Sequence, residues 1–268
     1  GQLTALCVLL ILQMILTEEQ LHDWGWRVPF FIGALLAIVV FRIRRGLLET
    51  QSFKNAQAET DQPKSGMFAL FKHYPKEAFT VLFLTAGGTL AFYTYTTYLQ
   101  KYLVNTSGFT KPEATQITTL ALFIFMCLQP LAGALSDRIG RKPLMIAFGV
   151  TGVLFTYILF DTLANTHNYW TAFWLCLGGL VMVTGYTSIN AVVKAELFPA
   201  HIRALGVALP YAIANTLFGG TAEFFALSFK EAGHESWFFI YVSIMIFISL
   251  LIYIFMKDTK HHSKIKEH

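Results

Sequence analysis

The chain has 268 residues, of which 55% are hydrophobic and only 13% charged, and its formal net charge at pH 7 is +4. Soluble domains carry about 25% charged residues, so this composition indicates a protein whose surroundings are largely lipid. The chain has no basic patch with interleaved aromatic residues, which argues against nucleic-acid binding. Its three cysteines follow no spacing pattern, which argues against a disulfide scaffold or a metal site.

Eight apolar segments follow one another along the chain. A helix that spans a bilayer needs about 20 mostly apolar residues. The segments cover residues 1–16, 26–43, 78–102, 112–135, 143–161, 170–193, 204–228 and 237–256. We therefore predict an all-α integral membrane protein with about eight transmembrane helices. The first segment begins without Met or a charged region, so we expect the chain to be the C-terminal portion of a longer protein.

The polar segments between the apolar ones alternate in charge. When the polar segments are assigned alternately to two sides, 16 of the 20 Lys and Arg residues lie on one side and four lie on the other. The basic segments are residues 42–77, 136–142, 194–203 and 257–268. Cytoplasmic loops of membrane proteins carry the excess of Lys and Arg, so we predict that these four segments, including the C-terminus, are cytoplasmic.

One polar connection is much longer than the others and divides the chain. Residues 44–66 read as a linker, and residues 67–77 mix aromatic and basic side chains as an interfacial helix does. We predict four parts: the last two helices of one bundle (1–43), a cytoplasmic central loop (44–77), a six-helix bundle (78–256) and a cytoplasmic tail (257–268). The final stretch KHHSKIKEH (260–268) is expected to be a solvated, lipid-facing basic end rather than a metal site.

The short loop GALSDRIGRK, residues 133–142, concentrates charge between two apolar segments. A turn that only sets membrane topology explains the glycines and the basic residues. It does not explain Asp137, and it does not explain why Asp137 and Arg141 stand four residues apart, as partners on one helical turn do.

This loop resembles the G-x-x-x-D-R-x-G-R-K/R motif of the major facilitator superfamily. The resemblance implies a 6+6 helix transporter of which helices 5–12 are present here. It also implies that Asp137 and Arg141 pair with each other and with neighbouring helix ends, as a latch that holds the cytoplasmic gate in one state. The implied gating motif consists of Gly133, Asp137, Arg138, Gly140, Arg141 and Lys142.

Further stretches resemble the metabolite:proton symporters of that superfamily. They are WGWRVPFFIGALLA (24–37), FRIRRGLLETQSF (41–53) and KAELFPAHIRALGVAL (194–209). Residues 92–108 and 218–230 look closest to the 2-oxoglutarate/proton symporters of the family. The resemblance implies import of a small dicarboxylate with protons across a bacterial inner membrane, without enzymatic activity or a cofactor.

Two other interpretations stay open at this point. The first is a symporter of the same family for a tricarboxylate, shikimate or a zwitterionic osmolyte. The second is a membrane protein that does not transport, either a truncated remnant or a sensor. The expected partners under the favoured interpretation are a small organic acid, protons and membrane lipid, and no nucleic acid.

Few ionisable residues lie inside the apolar segments. Because a charged side chain in lipid has a high free-energy cost, each of them is a candidate functional residue. Glu223 is a candidate proton carrier or a partner for a cation, although a fixed structural role is equally compatible with its position. Lys101 either extends to the interface or faces a central cavity and binds a carboxylate. These two residues are the main candidates for proton coupling and for substrate binding.

The remaining candidates are weaker. Tyr95, Tyr98 and Lys101 recur at intervals of three, which predicts one stripe on a helix. Arg27 can bind a carboxylate with its planar fork, although a helix-start residue at the outer surface also fits. Asn215 places an amide in an apolar segment, where such groups also serve as contacts between helices.

Overall fold

The computed structural model describes residues 2–46, 67–260 and 262–264, and within these ranges it is helical without a β-strand. The helices are α1 (Gln2–Ile15), α2 (Glu18–Asp23), α3 (Val28–Arg45), α4 (Met67–His73), α5 (Pro75–Tyr93), α6 (Leu99–Asn105), α7 (Lys111–Ile139), α8 (Arg141–Ala164), α9 (Tyr169–Thr187), α10 (Asn190–Glu196), α11 (Ala200–Ala214), α12 (Ala222–Glu231) and α13 (Glu235–Phe255). The predicted linker lies mostly outside the described residues, while the predicted short helix after it is α4.

Several helices join end to end into longer spans. A turn of π-helix, Thr94–Tyr98, connects α5 to α6, and a second one, Asn215–Gly219, connects α11 to α12. Within the described residues, seven spans are long and apolar enough to cross a membrane. They are Gly25–Arg45, Pro75–Asn105, Lys111–Ile139, Arg141–Ala164, Tyr169–Glu196, Ala200–Glu231 and Glu235–Phe255.

The remaining predicted segment, residues 1–16, corresponds to α1, a shorter apolar helix of 14 residues. At about 1.5 Å per residue it is roughly 21 Å long, less than the roughly 30 Å of a hydrocarbon core. It packs against α7, whereas α3 exposes most of its side chains.

The sequence at the start of several helices explains why they begin there. The Thr110 hydroxyl accepts the backbone N–H of Glu113, whose carboxylate in turn accepts from Thr110, and this capping box begins α7. Proline stands in the first turn of α3, α5 and α7, where its missing N–H is tolerated.

The helices from α5 to α13 pack against one another mainly through buried apolar side chains. The main helix contacts are α13 with α8 and α5, α9 with α7 and α8, and α11 with α5. Aromatic rings fill the centre. Phe160 and Phe239 stack with their centroids 4.2 Å apart, and Tyr102 meets Phe160 edge-on at 5.2 Å.

Small residues allow α5 and α13 to approach closely. The Gly87 N–H donates to the Ser249 hydroxyl at 2.9 Å, and a Cβ at Gly87 would collide with the backbone of Met245 and Ile246. We expect Gly87→Ala to reduce the free energy of unfolding by about 1–3 kcal/mol, since a packed interface cannot absorb the added volume. A fall in the melting temperature of the purified protein would show this. Gly178→Ala is the matched control, because no atom lies within 4 Å of the added Cβ; equal effects of the two changes would contradict the prediction.

Candidate functional site

A lysine and a glutamate from two different spans form an ion pair. Lys101 on α6 donates its ammonium to the Glu223 carboxylate on α12. The side chains are half-exposed, at 47% for Lys101 and 38% for Glu223. The sequence suggested each as a possible partner of the other, and the structure brings them together.

Tyr95, Tyr98 and Lys101 have different surroundings in the structure. Tyr95 and Tyr98 lie in the π-turn and are buried in the bundle, whereas Lys101 on α6 is half-exposed and contacts α12. The three side chains of the predicted stripe therefore do not share one environment.

Both tyrosines have their hydroxyl groups occupied inside the bundle. Tyr95 is buried, shares a hydrogen bond of 2.6 Å with the Thr156 hydroxyl, and stacks on Phe160 with the centroids 6.0 Å apart. Tyr98 donates to Glu235 at 2.8 Å. These contacts hold the π-turn against the rest of the bundle.

Glu235 gathers several polar groups where α6, α12 and α13 meet. Its carboxylate accepts from the Thr106 hydroxyl at 3.0 Å as well as from Tyr98, and it lies 3.5 Å from the Lys230 ammonium. The cluster ties the end of α6 to the end of α12. It thereby sets the distance between the helices that carry Lys101 and Glu223.

The other two predicted substrate residues lie apart from this pair. Arg27 belongs to a 3₁₀ turn before α3; its guanidinium donates to the Asp23 carbonyl at 2.7 Å and lies 4.7 Å from the centre of the Trp26 ring. Asn215 begins the second π-turn and is half-buried. Among the described residues, no hydrogen bond or ion pair joins either side chain to Lys101 or Glu223.

At the opposite ends of the spans, the GALSDRIGRK motif forms the connection between α7 and α8. Gly140 has φ +102°, a left-handed conformation that glycine adopts without strain. It allows α8 to start at Arg141 immediately after α7 ends at Ile139. Gly133 lies within α7 and faces open space.

Arg141 joins the motif to a neighbouring helix end, as the resemblance implied. Its guanidinium contacts the Asp137 carboxylate and donates to the Ser136 hydroxyl at 2.9 Å. It also lies 3.7 Å from Glu196, the last residue of α10. The side chains of Arg141 and Glu196 are only 14% and 9% exposed, whereas that of Asp137 is 68% exposed.

The segment directly after α13 packs onto this cluster through Asp258 and Thr259, whereas residues 261 and 265–268 of the predicted solvated end lie outside the described residues. The Asp258 carboxylate accepts the backbone N–H groups of Arg141 at 3.2 Å and Lys142 at 3.4 Å, so it caps the start of α8. The Lys260 ammonium donates to the Arg138 carbonyl at 2.7 Å, at the end of α7.

Two further contacts extend the same segment. The Thr259 hydroxyl, which is buried, donates to Glu196 at 2.5 Å. The Lys264 ammonium lies 2.6 Å from Glu77 at the start of α5. We call Asp137, Arg141, Glu196, Asp258, Thr259, Lys260 and Lys264 the clamp. It joins the ends of α5, α7, α8 and α10 on the face of the bundle where the motif lies.

An exposed ion pair connects the opposite face to the first helices. Lys111 at the start of α7 lies 2.9 Å from Glu18 on α2. The Lys111 ammonium holds the pKa of the Glu18 carboxyl below its usual value, first through their hydrogen bond and then through their charges. Exposed pairs of this kind contribute little to stability.

The sequence model of the sugar (and other) transporter family matches residues 42–267 of this chain. The chain is 47% identical to the alpha-ketoglutarate permease of Escherichia coli K12 over 94% of its own length and 57% of the permease. It is 27% identical to the citrate-proton symporter of Salmonella typhi, with 78% of this chain and 48% of that protein covered.

A third relative is the glycine betaine/proline/ectoine/pipecolic acid transporter OusA of Dickeya dadantii, 26% identical over 94% of this chain and 52% of that protein. The chain thus spans about half the length of the curated relatives it matches. No solved structure matches it.

Proposed function

The chain belongs to the family of sugar and other transporters within the major facilitator superfamily, and from this premise we propose a proton-coupled symporter that imports a small dicarboxylate, 2-oxoglutarate, by alternating access. The observation that carries the proposal is the Lys101–Glu223 ion pair between two spans of a transporter. Ionisable residues at such positions are characteristic of substrate and proton pathways.

The substrate is taken from the similarity to the alpha-ketoglutarate permease. That identity, 47%, is well above the 26% shared with OusA, whose name specifies zwitterionic substrates. A dicarboxylate carries two negative charges and requires a cation in its site, and Lys101 supplies one. Another substrate of the family is the second candidate, since citrate and zwitterion transporters also match most of the chain.

Proton coupling follows from the electrical work of uptake. Moving a negative charge into a cell that is negative inside costs about 2.3 kcal/mol per charge per 100 mV. Two protons carried with each dianion would cancel this work, and fewer would leave part of it. A residue that takes up protons would let the carrier use protons as this compensating charge.

We assign that step to Glu223. A proton bound to its carboxylate removes the negative charge and weakens the contact with Lys101, so the ammonium becomes free to bind a substrate carboxylate. Release of the substrate and then of the proton restores the ion pair. Arg27 and Asn215 are proposed as additional contacts. Tyr95 and Tyr98 are assigned to positioning α6, because their hydroxyls are engaged.

The clamp is proposed as part of the gate on the cytoplasmic face of this multi-pass protein, in a bacterial inner membrane. Its contacts join helix ends of the C-terminal bundle, and we propose that they stabilise the conformation that is closed on that side. The first 43 residues are proposed to belong to the other bundle, which moves relative to residues 78–256, and α1 against α7 is their described contact.

The full-length protein in sealed vesicles tests the proposal. With acid outside, labelled 2-oxoglutarate is expected to accumulate, and a protonophore is expected to prevent accumulation. Unlabelled 2-oxoglutarate should compete strongly, and citrate, shikimate and glycine betaine weakly. Accumulation that is unchanged by the protonophore would refute proton coupling, and strong competition by glycine betaine alone would refute the dicarboxylate assignment.

A further inference from the structure

Lys194 is a cation buried inside the bundle. It lies on α10, within the span Tyr169–Glu196, and only 2% of the residue is exposed. By its position in the sequence it counts as one of the loop cations that set topology, so its burial is a finding of the structure. A buried lysine in a membrane span is unfavourable unless its charge is used.

The surroundings of Lys194 only partly satisfy its ammonium group. The group donates to the Asn190 side-chain oxygen at 2.9 Å, and it lies 4.2 Å from the centre of the Tyr211 ring and 5.8 Å from that of Tyr186. Aromatic faces attract a cation but accept no full hydrogen bond. An ammonium has three N–H donors, and one of them has an acceptor among the described residues.

No carboxylate of the described residues pairs with Lys194. Glu196 stands two residues further along the chain, but Arg141 and Thr259 hold it in the clamp. The charge of Lys194 is therefore separate from the network that joins the helix ends.

A series of polar side chains leads to Lys194 from the middle of the neighbouring helices. Helix α9 ends at Thr187 and α10 begins at Asn190. At this break the Asn190 amide donates to the Thr187 carbonyl at 3.0 Å, and the Thr187 hydroxyl donates to Gln129 on α7 at 2.9 Å. Interrupted helices with polar groups are typical of the paths that substrates take through carriers.

We propose that Lys194, with Asn190 beside it, is a second carboxylate-binding site, which receives one carboxylate of the transported dianion on its way to the clamp face. The inference rests on the proposed function, because it requires an anionic substrate. The two N–H donors without a protein acceptor bind the carboxylate oxygens. The half-exposed Tyr211 ring, which covers the ammonium, is the side chain that turns aside.

Lys194 and Lys101 form successive sites rather than two ends of one site. Tyr211, against Lys194, and Glu223, against Lys101, belong to one span and are separated by the second π-turn. Twelve residues of helix correspond to about 18 Å between the backbones of these two contact residues, which is much longer than a five-carbon dicarboxylate. The proposal is therefore that one carboxylate is handed from one lysine to the other.

The test measures the apparent KM of the full-length protein for 2-oxoglutarate from each face, in right-side-out and inside-out vesicles. Lys194→Gln is expected to raise KM about tenfold or more from the clamp face, the loss expected for a charge-assisted hydrogen bond. KM from the opposite face should change less than about twofold. Lys194→Arg, which keeps the charge, should retain much of the affinity. Lys72→Gln, an exposed lysine on α4, is the control.

A purely structural lysine gives a different result, namely a lower melting temperature and lower transport with equal KM changes at both faces, or no change in KM. Either outcome overturns the inference. If Lys194→Gln does not fold, Tyr211→Leu replaces it, and an unchanged clamp-face KM in that variant also overturns the inference. Failure of the unmodified protein to transport 2-oxoglutarate would instead refute the proposed function.

Discussion

Exchanging Lys101 for glutamine is expected to reduce kcat/KM for 2-oxoglutarate by about a hundredfold, the upper range for loss of a hydrogen bond to a charged group. The change removes the cation that binds the substrate carboxylate, and it leaves Glu223 without its partner. Uptake of zwitterionic substrates, if they are carried, should fall far less. Vesicle uptake over a range of substrate concentrations measures both effects.

Glu223→Gln separates coupling from binding. This variant resembles the protonated carboxyl permanently, so we expect exchange of labelled for unlabelled 2-oxoglutarate to persist while proton-driven accumulation is lost. Accumulation at the level of the unmodified protein would contradict the assignment of Glu223.

The reversed pair tests whether the contact is only structural. Lys101→Glu combined with Glu223→Lys restores an ion pair between α6 and α12, so a structural role predicts restored transport. Our proposal predicts a folded protein without dicarboxylate uptake. Lys111→Gln is the matched control, because it removes a lysine from the exposed pair with Glu18 and should leave transport unchanged.

Removing Arg141 is expected to have the second large effect, a fall in transport of about tenfold or more. Arg141→Gln leaves Glu196 mostly buried without its cation, and breaking a buried pair in this way destabilises by about 3–5 kcal/mol. The loss falls on the conformation in which the clamp is closed. The variant should therefore spend more time open on the clamp face, which reactivity of a cysteine placed on that face would report.

Asp137→Asn should be much milder than Arg141→Gln. Asp137 is 68% exposed, and an exposed pair contributes at most about 1 kcal/mol. Lys76→Gln, an exposed lysine near the same face, controls for loss of one positive charge. Equal loss of transport in the Asp137 and Arg141 variants would show that the pair within the motif, rather than the contact with Glu196, carries the gate.

Hydropathy and charge predicted most of the fold, since seven spans coincide with predicted apolar segments. The Asp137–Arg141 contact also followed from the sequence, because both residues lie on one helical turn. The π-turn could not be derived in this way. Thr94–Tyr98 has no sequence feature that distinguishes a π-turn from an α-turn.

Contacts between distant parts of the chain were also beyond sequence reasoning. Lys194 has the composition of a loop residue, and only the packing of α10 against α9 and α11 shows that it is buried. Similarly, Asp258 and Thr259 look like ordinary residues after a final apolar helix. Their partners stand more than sixty residues earlier in the chain, at separations that no local pattern reveals.

The C-terminal residues of the clamp are synthesised last. Asp258 and Lys260 leave the ribosome after the helices that they join, so the start of α8 and the end of α7 lack these hydrogen-bond partners until α13 has been made. Until then the helix ends on the clamp face lack these contacts. We expect a protein shortened before Asp258 to remain in that less stable state even after synthesis is complete.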